Sequence, residues 1–189
     1  MTAPALSASP LLPGTLPPGT LLLVRHARAA GQAPDAALTP EGQAGAAALV
    51  PALGGLGVTR VISSPWRRAV DTAAPLAAAL GLPVTPDDRL TERVLTGVPR
   101  TDWRERLRDS FADDTLALPG GESGAAARGR AQAALDTHRD PDGVTVVVTH
   151  GNLLALLLGL DYDGWAALRN PDVWLWTPGV TPIRLDLPA

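Results

Sequence analysis

The sequence predicts a three-layer α/β/α fold around a mostly parallel central sheet, and two observations point there. Leu21-Leu22-Leu23-Val24 and Val144-Thr145-Val146-Val147-Val148-Thr149 are apolar runs without strict alternation, as expected of strands covered on both faces. Around them, short apolar runs alternate with helix-like stretches that open on Thr-Pro or Ser-Pro and stop at glycine, the signature of a sheet with crossover helices. Both long runs end on a histidine, in Arg25-His26 and His150-Gly151, and the chain has only three histidines. The carboxyl ends of parallel strands are where open α/β sheets handle ligands.

Thr20 to Val24 is the first expected strand. Thr39 then serves as N-cap with Pro40 at the first helical position, and the helix runs through Ala46 to Leu53 before Gly54-Gly55. Val58 to Ile62 is a short strand. Ser63-Ser64-Pro65 repeats the cap pattern for an alanine-rich helix to about Leu80, stopped by Gly81. On that helix Trp66, Val70, Ala73, Ala77 and Leu80 share a stripe, which assigns Trp66 to the core. The stretch Pro83 to Pro119 is less regular, with a mixed-charge helix around Thr101 to Phe111. Gly120-Gly121-Glu122-Ser123 opens a helix to about His138, and Asp140-Pro141-Asp142-Gly143 is a turn by its residue types. The second apolar strand follows, then a helix from Asn152 to Leu158. Val173 to Trp176 and Ile183 to Leu187, flanked by prolines, read as closing strands near the sheet edge. Trp174 and Trp176 lie on one face of the first of these, as core or as the contact of a homodimer. There is no internal repeat.

At 189 residues and 46% hydrophobic the chain fits one domain, expected over 20–189, preceded by a poorly structured Pro/Ala-rich leader over 1–19. The net charge is −3 and all 16 basic residues are arginine, which argues against a broad nucleic-acid-binding face. Cysteine is absent, so thiolate nucleophiles and disulfides are excluded. The longest apolar stretch, Leu153 to Leu158, is far short of the roughly 20 residues a bilayer span needs. The expectation is a cytoplasmic protein without membrane association.

Arg67 and Arg68 stand in the first turn of a helix, where a cation opposes the helix dipole by some tenths of a kcal/mol. An anion reverses that sign, and phosphate fits best. For one surface arginine, simple solvation is the competing reading; Arg25 and the two strand-end histidines tip the balance. A fixed charge at Arg25 favours neutral imidazole at His26, which can attack phosphorus. His150, ahead of Gly151 and a helix start, can donate to a phosphoryl oxygen. His138 is assigned to the surface. His26 and His150 as metal ligands with Glu92 or Asp161 is a minority reading, since no local ligand spacing supports it. Ser63-Ser64 lacks the G-x-S-x-G turn, and a helix-cap role suffices for it.

Together these segments resemble the histidine phosphatase superfamily, also called phosphoglycerate mutase-like, from about Thr20 to Leu187. Leu23-Val24-Arg25-His26 is similar to the family's signature strand and phosphate loop, and Leu38-Thr39-Pro40-Glu41-Gly42 to its next helix start. Ser63-Ser64-Pro65-Trp66-Arg67-Arg68-Ala69, Leu90-Thr91-Glu92-Arg93, Gly121-Glu122-Ser123 and Val148-Thr149-His150-Gly151-Asn152 match the remaining motifs in order. The resemblance implies a phosphoglycerate mutase-like fold and a metal-independent phosphomonoesterase that needs no cofactor. His26 becomes the transiently phosphorylated nucleophile, Glu92 the proton donor, and Arg25, Arg68 and His150 the phosphoryl ligands, with Gly151 beside them.

Ala27 stands where glycine is usual in the family, and Arg28-Ala29 replace the acid or amide that often follows. Arg28 and Gln32 are candidate replacements for the missing contacts. After Glu92 the chain carries Val94-Leu95-Thr96-Gly97-Val98 and a short helix in place of the longer insertion of a cofactor-dependent phosphoglycerate mutase. Hydrolysis of a small phosphorylated metabolite is therefore expected, with that mutase and a non-catalytic phosphate-binding module as alternatives. Trp103 is the candidate specificity residue, with a helix-anchor role as its competing reading.

Overall fold

The structure, a computed structural model, describes Gly14 and residues 16–187. Six strands, β1 (Leu21–Arg25), β2 (Val58–Ser63), β3 (Val84–Pro86), β4 (Val144–Thr149), β5 (Asp172–Trp176) and β6 (Ile183–Leu185), form one sheet in the order β3-β2-β4-β1-β5-β6. β3, β2, β4 and β1 run parallel; β5 pairs antiparallel with β1, and β6 with β5. Among the described residues there are also six α-helices, α1 (Pro40–Leu53), α2 (Arg67–Leu80), α3 (Trp103–Ala112), α4 (Gly124–His138), α5 (Gly151–Leu158) and α6 (Tyr162–Ala166), and a 3-10 turn at Asp88–Leu90.

The three layers follow from the period-2 geometry of the strands. Leu21, Leu23, Val147 and Trp174 pack on one face against Ala127, Ala131 and Leu135 of α4 and Leu153 to Leu158 of α5. Leu22, Val24, Val146, Val148 and Val173 turn to the other face, against Leu49 and Leu53 of α1 and Ala69, Ala73 and Leu76 of α2. Burying one such leucine or valine contributes about 1.5–3 kcal/mol, so the non-alternating runs are the central strands of the sheet. Thr39 Oγ1 accepts the Gly42 N–H at 3.1 Å and caps α1, and Gly81 ends α2 in the left-handed region at φ 67°.

β5 and β6 are the last two strands on one side of the sheet, near its edge as expected, and Pro171 and Pro178 flank the β5 ladder without interrupting it. Other expectations need correction. Trp174 is fully buried on the α4–α5 face and Trp176 packs beside it, so Trp174 is core and offers no surface to a second copy. The three-residue β3 and five-residue α6 went unforeseen, being too short for a periodic signal. The leader expectation falls mostly on residues outside those described. Its last residues are tied down: Leu16 N donates to Leu56 O at 3.1 Å, and Gly19 N to Gly143 O at 2.8 Å. Among the described residues no helix is long and apolar enough to cross a membrane.

Candidate active site

The strand order sets β2, β4 and β1 side by side, and Ser64, His150 and His26 are the first residues beyond their carboxyl ends. The ladder continues one step past the strands. His26 N donates to Thr149 O at 2.8 Å, and Ser64 N to Val148 O at 2.9 Å, which fixes all three backbones before any side chain is placed. The imidazoles of His26 and His150 meet edge to face, with centroids 5.2 Å apart.

His26 Nδ1 lies 2.7 Å from Ala27 O, an acceptor only, so Nδ1 carries the proton. Nε2 is thereby left with a lone pair, toward which Arg68 Nε donates at 3.1 Å. The ring is 8% exposed. Burial, with the charges of Arg68 and Arg25 adding to it and outweighing the Ala27 hydrogen bond, pushes its pKa down to about 4. Ala27 spends its backbone on the site, its carbonyl on His26 and its N–H on Thr72 Oγ1 at 2.9 Å. Its methyl packs against Leu38 and Ala46, so alanine fits where glycine was expected.

Of the two arginines opening α2, only the second enters the site. Arg68 is 1% exposed, donates to Gln32 O and Ala33 O at 3.2 and 2.9 Å, and lies over the Trp66 ring at 4.6 Å. Burial works against its charge, and the Glu92 carboxylate supports it. Arg67 is exposed and pairs with Asp71 at 3.4 Å.

Two readings of the Ser63-to-Trp66 segment are overturned. α2 starts at Arg67 with Trp66 at its N-cap, so Ser64 is too early to cap the helix through its side chain. Its hydroxyl lies 2.7 Å from His150 Nε2 and receives the Trp66 N–H at 3.3 Å. Trp66 is half-buried and meets the His150 ring edge to face at 4.8 Å, a packing partner of that histidine instead of a core anchor; the helical stripe failed because the residue precedes the helix. His150 itself is fully buried, and that burial, with the charges of neighbouring groups adding to it, holds it neutral. Its Nδ1 has no partner among the described residues.

Arg25 donates to Leu168 O at 2.8 Å and its Nε is buried without a partner among the described residues. A Cβ on Gly151 would come within 3.0 Å of this guanidinium, so glycine there permits the close approach. Glu92 is held by three backbone donors: Oε1 accepts Arg93 N and Leu153 N, both at 3.0 Å, and Oε2 accepts Asn152 N at 3.1 Å. The carboxylate thus sits on the first turn of α5, where the helix dipole favours it. Arg93 turns away and donates to Glu122 O, Ser110 Oγ and Leu116 O. Glu122 therefore supports the pocket wall from behind.

Arg25, His26, Glu92, Arg93, Gly151 and Asn152 border a cavity of about 420 Å³, lined also by Arg28, Gln32, Leu95, Trp103, Leu107, Trp165 and Asn170, while the buried Arg68 and His150 adjoin His26 without lining it. Arg28 and Trp103 accordingly stand where a substrate could be reached. Asn170 and Trp165 were missed; Asn170 Nδ2 donates to His26 O at 2.7 Å, yet in sequence it is only the residue before a proline. Asp161 caps α6 through Gly164 N, which leaves it no part in a site with the histidines, and no group of three or more His, Asp or Glu among the described residues could hold a metal ion. His138 is half-buried and hydrogen-bonds Asp87 at 2.8 Å, so it is more than a plain surface residue.

A sequence profile of the histidine phosphatase superfamily (branch 1) matches residues 21–171. A probable phosphoglycerate mutase GpmB of Shigella boydii is 32% identical over 169 residues, covering 78% of this chain and 77% of its own. Its Escherichia coli counterpart is 33% identical over 170 residues with the same coverage. Among solved structures, a mycobacterial glucosyl-3-phosphoglycerate phosphatase in complex with inorganic phosphate superposes with a TM-score of 0.67 at 29% identity, covering 90% of this chain and 95% of that one.

Proposed function

The chain belongs to the histidine phosphatase superfamily, branch 1, and from that premise we propose that it is a metal-independent phosphomonoester hydrolase working through a phosphohistidine. The observation that carries this reading is a neutral His26 whose lone-paired Nε2 faces the Arg68 guanidinium, with the His150 ring 5.2 Å away. A phosphoryl group arriving there takes over the Arg68 N–H, which frees the lone pair for attack. Arg25, Arg68 and the unpartnered His150 Nδ1 then surround the equatorial oxygens. Phosphoryl transfer needs little beyond such positioning and charge stabilisation.

In the first step the Nε2 lone pair forms a bond to phosphorus while the ester P–O bond breaks, and the departing oxygen takes a proton by way of Glu92, whose carboxylate receives it from the bound ester monoanion. In the second step a water oxygen attacks phosphorus, Glu92 takes the water proton, and the N–P bond breaks to return neutral imidazole and inorganic phosphate. The proton stays on Nδ1, donated to Ala27 O throughout, so His26 keeps its tautomer and orientation.

Rapid quenching during turnover of 4-nitrophenyl phosphate tests this directly. The expected result is an acid-labile phosphoryl adduct on His26 by peptide mass spectrometry, with turnover insensitive to chelators. An adduct elsewhere, or dependence on an added divalent metal, overturns it. Likeness to proteins named probable phosphoglycerate mutase supports a second reading. Interconversion of phosphoglycerate isomers, stimulated by a bisphosphorylated primer and faster than release of phosphate, decides for that one.

A further inference from the structure

The cavity holds more than a phosphoryl group requires, and its outer half has a composition of its own. Leu95, Trp103, Leu107 and Trp165 make an apolar wall beyond the reacting groups, with the two indoles edge to face at 6.5 Å. Trp103 is 41% exposed although it lines this cavity. The four side chains of this wall carry no carboxylate or amide; the cavity's amides, Gln32, Asn152 and Asn170, belong to the rest of its lining, and burying unmatched hydroxyls against the wall itself is costly. Flat apolar rings gain both area and quadrupole contacts from such a surface.

The charges of the cavity are unevenly used. Arg25 and Arg68 face the phosphoryl position, Arg93 is consumed by three protein oxygens, and Glu92 by three backbone N–H groups. Arg28 alone lines the cavity with its guanidinium in no hydrogen bond or ion pair among the described residues. The acidic group that feels its charge is Glu41, exposed at the start of α1 and already engaged by its own backbone N–H and by Thr39. Arg28 is therefore free to meet a ligand anion.

We propose that the outer half of this cavity selects phosphomonoesters whose alcohol carries an aromatic ring bearing a second anionic group, with Trp103 and Trp165 taking the ring and Arg28 the anion. This rests on the hydrolase reading above and narrows its substrate class. Steady-state kinetics with butyl, benzyl, 3- and 4-carboxybenzyl phosphate and glucose 6-phosphate test it, since all are primary alkyl esters and differ mainly in what occupies the wall. Benzyl phosphate is expected to exceed butyl phosphate about tenfold in kcat/KM, and the better carboxybenzyl ester to exceed benzyl about tenfold again. Trp103→Ala should collapse the benzyl-to-butyl ratio toward one through KM, with Trp103→Phe retaining most of it; Arg28→Gln should collapse the carboxybenzyl-to-benzyl ratio. Equal kcat/KM across the panel, or glucose 6-phosphate as the preferred ester, overturns this inference and leaves the hydrolase reading standing. Absence of turnover on every ester, including 4-nitrophenyl phosphate, overturns both.

Discussion

Replacing Ser64 with alanine isolates the role of a residue that never touches the phosphoryl position in this arrangement. Ser64 Oγ already accepts the Trp66 N–H, and the acceptor within reach of its own hydrogen among the described residues is His150 Nε2 at 2.7 Å. The hydrogen-bond network thus assigns the imidazole proton to Nδ1, the buried atom without a protein partner. Without the hydroxyl, the ring no longer favours that tautomer. A buried neutral hydrogen bond is worth about 1 kcal/mol net, and leaving the acceptor unmatched raises the loss to about 3 kcal/mol. If that energy is what holds the proton on Nδ1, kcat for an aryl phosphate falls by about 5- to 150-fold. The nitrogen-15 spectrum of the imidazoles reads the cause separately: wild type should show His150 protonated at Nδ1, and Ser64→Ala at Nε2. A wild-type spectrum with the proton on Nε2, or a variant within twofold of wild-type kcat, refutes the reasoning.

Removing the nucleophile in His26→Ala is expected to cut hydrolysis of 4-nitrophenyl phosphate by at least about a thousandfold, measured by nitrophenolate release. Glu92→Gln should damage alkyl esters more than aryl ones, since a good leaving oxygen needs less protonation; equal losses across a leaving-group series count against the proton-donor role. The depressed pKa of His26 also makes a stability statement. Below pH 6.5 the unfolded chain takes up a proton that the folded ring refuses until about pH 4, so this contribution is complete above pH 6.5 and drains away as pH falls to 4. Urea unfolding should therefore show the wild type losing about 2 kcal/mol more than His26→Asn between pH 7.5 and 5. Gly151→Ala places a methyl against the Arg25 guanidinium and is expected to raise KM for phosphate esters, with inorganic phosphate inhibition weakened in parallel.

What could be read from the sequence was whatever rests on periodicity or on order along the chain. The two unbroken apolar runs became the central strands β1 and β4, and their terminal histidines came together because the registers of those strands align Arg25 with Thr149. Arg68 was legible through a rule it breaks, a cation in the first turn of a helix. Ser64 and Trp66 were misread for one reason: the helix starts two residues later than the Ser-Pro pattern suggests, which turns a cap and a core residue into two neighbours of His150. Asn170 and Trp165 come from the chain after α5, folded back over the strand ends, and no local pattern announces such a return.

The same placement explains why two imidazoles and several guanidiniums can share so small a volume without an opposing cluster of carboxylates. Burial acts on the two kinds of group in opposite practical ways. It strips the histidines of their proton, so they add no charge, while it only weakens an arginine that remains a cation at any pH a protein experiences. One carboxylate, Glu92, supports both Arg25 and Arg68, and it is anchored by α5 backbone donors instead of by either arginine. The guanidiniums are therefore not locked into an internal ion pair with it. The free site carries excess positive charge that a phosphoryl dianion can neutralise, and binding requires no salt bridge to be broken first.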